Sequence, residues 1–369
     1  MLDCRARPPM PRLALLLSML AASAAAQVEV DAGDGLSARL AGTVQPRVSA
    51  AVQDTAASGG QERFGFGLRR VRFEARVVWR DRVGFEFDVD GSSGAVTPVD
   101  MYGVVFVTDR LQVRAGRVPG AQPRGSVATS HREIDAVERA AIVGRWADGT
   151  LGSSGRDIGV DVRYDAGRTF AELFVHDGSG VFTRDEANFR QAIEDPSATG
   201  GVGRAGLAVS AALRHQPAAL AGVEVGGYAS ANAGGNERTE VDGVRRSYVS
   251  AGGFAYWGAE PGSQPVRLKA DALTIAYESL PGVGPQTAVG VSGLGAVRVL
   301  GAGEAFARAE RFWPGAGPAE TYLTAGASYS PSAAAGGRYR TARLTAAYAW
   351  RDAAGLAAHL LVVQGQFAF

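Results

Sequence analysis

From Phe64 to Arg80 apolar and charged residues take turns: Val71, Phe73, Ala75, Val77 and Trp79 alternate with Arg70, Arg72, Glu74, Arg76 and Arg80. A period of two with one apolar face predicts a β-strand. Asp81-Arg82 makes a tight turn, after which Val83, Phe85, Phe87 and Val89 alternate with Glu86, Asp88 and Asp90. The two strands set a basic row beside an acidic row. Their other face suits lipid, with Trp79 at an interface. Similar segments recur along the chain at 36–52, 64–80, 82–91, 99–108, 111–117, 156–165, 169–177, 203–215, 220–232, 246–258, 265–279, 286–300, 303–313, 320–330, 338–351 and 356–369. That is sixteen strands, an even number, as bacterial membrane barrels have. Such a barrel leaves an aqueous channel, whereas eight strands would be filled by side chains. The predicted fold is all-β, a transmembrane antiparallel barrel. Short turns such as Asp165-Ala-Gly-Arg168 alternate with long Gly/Ser/Asp-rich ones at 178–202 and 232–245.

Both ends of the chain agree. Phe369, Phe367, Gly365, Val363 and Leu361 alternate with Gln366 and Gln364. An exposed terminal strand invites aggregation unless a closed barrel pairs it with the first strand. A terminal Phe369 resembles the signal read by the outer-membrane barrel-assembly machinery. The inward face of this strand also carries Val362 and Leu360, with no charge. At the other end Arg5, Arg7 and Arg12 precede the apolar run Leu13–Leu20, and Ala24-Ala25-Ala26 supplies a cleavage site before Gln27. Residues 1–26 read as a secretory signal peptide and 27–369 as the barrel. The one cysteine, Cys4, leaves with the signal.

Composition narrows the classes. Beyond the signal no apolar run reaches ~20 residues, which excludes a helical membrane protein. Mean hydropathy of −0.02 is what alternating lipid and water faces produce. Net charge is +1 for the whole chain and near −1 after cleavage, since the signal holds three Arg and one Asp. Bulk charge therefore points to no nucleic-acid partner. Lys269 is the only lysine; every other basic residue is Arg. A GC-rich genome would give that bias, and Arg also suits bidentate contact with phosphate and carboxylate.

One segment breaks the rhythm. Pro119, Pro123 and Gly125 interrupt the stretch 118–155, and within His131–Ile142 the residues Ile134, Val137, Ala141 and Ile142 sit at roughly helical spacing. A loop this long in a compact domain is usually functional. It is expected to fold into the lumen and narrow it; the alternative is packing on the outer rim.

Several stretches resemble the phosphate-selective porin O and P family. These are Arg69-Arg-Val-Arg-Phe-Glu-Ala-Arg76, Val83-Gly-Phe-Glu-Phe-Asp88, Val99-Asp-Met-Tyr102, Val113-Arg-Ala-Gly-Arg117 with Pro119, Thr129-Ser130, Glu138-Arg139, Gly155-Arg-Asp-Ile-Gly159 and His176-Asp-Gly-Ser-Gly180. The match covers about residues 64–180. The resemblance implies a sixteen-stranded, trimeric outer-membrane channel for anions, phosphate or polyphosphate among them. Lysine is absent from the presumed constriction, so arginine is left to carry the preference.

Rings of arginine select anions by replacing part of their hydration. The candidates are Arg70, Arg72, Arg76 and Arg80 along the wall, Arg114 and Arg117 at the loop entry, and Arg124, Arg132 and Arg139 in the loop. Glu86, Asp88 and Asp90 would line the wall beside them, and Glu138 with Arg139 could pin the loop. A weakly selective general porin is the alternative. An enzymatic or non-conducting barrel is a more distant one: His131, His176, His215 and His359 lie on four separate segments, none in a nucleophile motif. No spacing suggests a metal or cofactor, because Asp157 and Asp161 are four apart on a strand. Lipid, small anions and further copies of the chain are the expected partners.

Overall fold

The computed structural model describes residues 28–369, apart from 32, 55–59, 152–154, 179–206, 237–238, 242 and 281. The expected signal peptide, 1–26, and most of the 178–202 turn lie outside the described residues. The strands are β1 (Val28–Asp31), β2 (Leu36–Gln53), β3 (Gln61–Trp79), β4 (Val83–Asp90), β5 (Thr97–Phe106), β6 (Leu111–Val118), β7 (Asp157–Asp165), β8 (Thr169–His176), β9 (Ala208–His215), β10 (Val223–Asn232), β11 (Glu240–Val241), β12 (Val244–Arg245), β13 (Tyr248–Trp257), β14 (Val266–Tyr277), β15 (Gln286–Leu300), β16 (Gly303–Trp313), β17 (Glu320–Tyr329), β18 (Ala342–Ala353) and β19 (Leu356–Ala368). Among the described residues two helices, α1 (Ala141–Gly149) and α2 (Pro331–Ala334), interrupt them.

Seventeen strands form one sheet; β11 and β12 make a separate small hairpin. Without the four-residue β1, sixteen antiparallel strands remain, each paired with its neighbours, and β19 pairs with β2 to close the ring. All sixteen predicted segments are found. β1 and the β11–β12 hairpin are not among the predicted strands, because strands of four and two residues are too short to show a period. β1 pairs with Ser37–Leu40 of β2, just past the point where β19 ends. At that end the amide of Phe369 donates to Gly42 O at 3.0 Å, and Gly42 N donates to Phe369 O at 2.8 Å. The Phe369 ring lies against Gly42, where a Cβ would stand 2.3 Å from it. Glycine is what lets the last aromatic residue seat against the first long strand.

The outer surface is apolar: Phe73, Val77, Trp79, Val291, Leu361 and Val363 are all exposed. The alternate positions Ser292, Arg343, Gln364 and Gln366 are buried inside. This inside-out arrangement suits a wall between lipid and a polar lumen. Among the described residues no helix is long and apolar enough to cross a membrane. Sixteen strands about 4.8 Å apart and tilted about 40° give a circumference of about 100 Å and a diameter of about 32 Å.

The β2–β3 ladder slips at Gln45/Pro46: Gln45 pairs with Arg70 and Pro46 with Leu68, so Arg69 is the extra residue. Pro46 has no N–H to give the ladder, and a bulge is where a strand tolerates that. A one-residue slip exchanges the faces. Below it Phe64, Phe66 and Leu68 point outward; above it Phe73 and Val77 do. The charged alternation read along 64–80 as one phase is in fact two.

Candidate functional site

The segment joining β6 to β7 touches strands around much of the wall. Its base is fixed by Gln122, which donates to Gly120 O at 3.0 Å and Gly155 O at 3.1 Å. Gly120 passes so close to the Phe174 ring that a Cβ would sit 2.0 Å from it. From there Arg124 reaches Glu224 on β10 at 2.7 Å, and Arg132 reaches Glu74 on β3 at 3.0 Å and Thr43 on β2 at 2.7 Å. Asp135 accepts from Arg267 at 2.6 Å and Lys269 at 2.8 Å, both on β14. Glu133 pairs with Arg340. Glu138 accepts two bonds from Arg69, at 2.6 and 2.9 Å, and another from Arg47.

Helix α1 follows. Ile142, Val143, Trp146 and Ala147 bury against Tyr228, Tyr248, Leu273, Ile275 and Phe312 of the wall. Trp146 Nε1 donates to Ser250 Oγ at 2.9 Å, and the Tyr277 hydroxyl to Gly149 O at 3.0 Å. The helical spacing read over His131–Ile142 needs correction: residues 131–140 form turns and bends, and the helix begins at Ala141. In a helix Asp135 and Glu138 would share one face. Here they are held by opposite walls, Asp135 by β14 and Glu138 by β2 and β3. Those ion pairs stretch the segment out.

The predicted residues divide by their partners. Arg72 meets Asp88 at 3.1 Å and Asp90 at 3.4 Å, so the basic and acidic rows form direct pairs as well as a field. Arg114 is buried against Asp161 at 2.6 Å and Glu172 at 3.2 Å. Arg117 donates to Val99 O at 3.2 Å. Arg76 lies over the Phe106 ring at 5.6 Å and Arg80 over Trp79 at 4.9 Å; both line a cavity of about 520 Å³ at the short-turn end. Glu86 lines a second cavity, of about 270 Å³, with Arg114, Arg124, Arg163 and Arg214.

Arg70 and Arg139 differ from these. Buried Arg70 donates to Gln45 Oε1 at 2.8 Å, and Arg139 donates to the carbonyls of Gly125 at 3.2 Å, Thr129 at 2.8 Å and Ser126. Among the described residues neither has a carboxylate in its ion pairs or hydrogen bonds. Around the loop tip six arginines (Arg47, Arg69, Arg70, Arg72, Arg132, Arg139) face four carboxylates (Glu74, Asp88, Asp90, Glu138), an excess of two positive charges. Arg47 and Arg69 escaped the sequence reading. The signal for Arg69 was present in the change of apolar parity between Leu68 and Val71.

The loop groups record this field. Burial, then the charges of Arg70, Arg156 and Arg72, push the Arg139 pKa down to about 9. Burial would raise that of Glu138, but its bonds and charge contacts with Arg69 and Arg47 win and hold it at about 2. His131 is kept well below its usual value by burial and by Arg72, Arg132 and Arg70. Its Nε2 lies 3.0 Å from Thr43 Oγ1 and its Nδ1 3.5 Å from Arg72 Nη1.

A pH prediction follows from His131. A base whose folded pKa is depressed costs nothing above its unfolded value of about 6.5, and its penalty grows by about 1.4 kcal/mol per pH unit below that. The loop is therefore expected to loosen from about pH 6 downward, seen as rising current noise in planar bilayers. His131→Gln removes that rise. Glu138 stays ionised over this window, so noise that persists in the variant would point away from His131.

Among the described residues no three His, Cys, Asp or Glu side chains cluster as metal ligands would.

No protein-family model matches the sequence, and comparison with curated proteins finds no match. Solved structures do match in fold. An anion-selective porin from Comamonas acidovorans superposes with a TM-score of 0.64 at 14% identity, covering 90% of this chain and 100% of the porin. The trimer form of OmpT, an outer membrane protein of Vibrio cholerae, gives 0.56 at 12% identity, with coverage of 91% and 100%. Salmonella typhi OmpF in complex with daunomycin gives 0.55 at 11%, with coverage of 92% and 100%. At these identities the likeness is one of fold, the closed barrel of bacterial outer-membrane porins.

Proposed function

We propose that the chain is a bacterial outer-membrane porin through which small anions diffuse passively, narrowed by the segment 118–155. The observation that carries this reading is the excess of two positive charges at the loop tip, where among the described residues Arg70 and Arg139 meet no carboxylate. Positive side chains at a narrowing lower the barrier for a partly dehydrated anion. The other tip arginines, Arg47, Arg69, Arg72 and Arg132, are paired with Asp or Glu, which favours a modest preference over a tight one. Phosphate is the anion that the sequence resemblance suggests, and competition of phosphate with chloride current tests it. The reading also includes a signal peptide at 1–26, assembly through Phe369 and a homotrimer, the last supported by the trimeric OmpT likeness. It includes no catalytic role.

The experiment is the reversal potential in a planar bilayer under a tenfold KCl gradient. The intact channel is expected to favour chloride. Arg70→Glu lowers the tip excess from two charges to zero, because one arginine is lost and one carboxylate gained, and should bring the potential close to zero. Absence of conductance would end the porin reading. Cation preference in the intact channel would remove the role given to the arginines.

A further inference from the structure

The inner wall is not polar throughout. On the strands that close the barrel, facing residues fall into rungs. Thr345, Gln364 and Arg47 make one; Ala347, Val362 and Ser49 the next; Ala349, Leu360 and Ala51 a third; Arg351, Ala358 and Gln53 a fourth. Two largely apolar rungs are thus bracketed by arginine on both sides. From Gln364 to Ala358 is six residues of strand, or about 20 Å at about 3.4 Å per residue.

Part of this band packs with the loop, where Ala136 and Val137 share one buried apolar cluster with Ala347 and Val362. Beside that contact lies a cavity of about 320 Å³, lined by Val137, Ala349 and Leu360 together with Arg139, Arg308 and Arg351. Arg308 pairs with Glu310 at 2.8 Å and Arg351 with Glu320 at 3.3 Å, and Glu138 is held by Arg47 and Arg69, so among the described residues Arg139 is the lining cation that meets no carboxylate. A hydrated inorganic ion gains nothing from an apolar wall. An anion with an apolar body gains by burying it there while its charge stays near arginine.

We propose that this cavity is a binding station for organic anions that join a carboxylate to an apolar body, such as aromatic or branched aliphatic monocarboxylates. The inference rests on the anion-channel reading and names its substrate class.

The probe pair is benzoate and acetate, equal in charge and different in apolar area. Either salt is added at fixed ionic strength while chloride current is recorded through the full-length channel. Half-maximal reduction is expected at a roughly tenfold lower concentration of benzoate than of acetate, as burial of about 50–60 Å² of apolar surface gives. Leu360→Asn should collapse that ratio toward one. Ala349→Asn provides the same test if the first variant fails to fold, and Leu360→Met should keep the ratio. Equal concentrations of benzoate and acetate in the intact channel would overturn the inference while leaving anion conduction in place. A ratio unchanged in both Asn variants would overturn it too. Lack of anion-selective current would instead remove the channel reading from which it starts.

Discussion

Replacing residues 122–150 by a short Gly-Ser linker is expected to raise single-channel conductance several-fold and to weaken ion selectivity. The segment holds four arginines (Arg124, Arg132, Arg139, Arg145) and four carboxylates (Glu133, Asp135, Glu138, Asp148), so its removal leaves the net charge unchanged. What changes is width. With its side chains an α-helix is about 10–12 Å across, about a third of the wall-to-wall diameter. Wall charges act over about 10 Å at 0.1 M salt, and a lumen clear of the loop is wider than that along its axis. Ions there would be screened from the arginines. Conductance in the deletion variant equal to that of the intact channel would mean that the segment does not narrow the path.

The barrel was legible because its signal is repeated sixteen times and each strand states it independently. Alternation over 286–300 or 356–369 needs no partner to be recognised, and the structure sets β15 at Gln286–Leu300 and β19 at Leu356–Ala368. The loop could be located but not shaped. Pro119 and Pro123 say where strand ends. The course of residues 131–140, however, depends on cations far away in sequence, such as Arg267 for Asp135 and Arg47 for Glu138. Helical spacing at Ile134 and Val137 was a local preference overruled by those pairs. The candidate arginines were legible as residues facing inward, but not by state. Arg70 and Arg72 look alike in the sequence, yet one meets a glutamine and the other two aspartates. Register across strands decides that, and the bulge at Arg69 changes it by one residue.

Arg114 is where the distinction has its largest expected effect on stability. Its guanidinium is 2% exposed and touches Asp161, which is fully buried, and Glu172; it also lies 4.9 Å from the Tyr102 ring. Arg114→Ala leaves two buried carboxylates to share Arg163, which stands 3.3 Å from Asp161 and 2.7 Å from Glu172. Breaking a buried pair from one side typically costs about 3–5 kcal/mol, because the abandoned charge stays desolvated. The heat-modifiable band on a detergent gel should therefore convert at a markedly lower temperature in Arg114→Ala. Arg80→Ala, at the exposed β3–β4 turn, should change it little, within about 0.5 kcal/mol. Pairing Arg114→Met with Asp161→Leu removes both charges and leaves Glu172 with Arg163, so most of the loss should be recovered. If the double variant is no more stable than Arg114→Ala, the buried charge is not the cause, and Arg114 acts through the packing of its side chain on Tyr102.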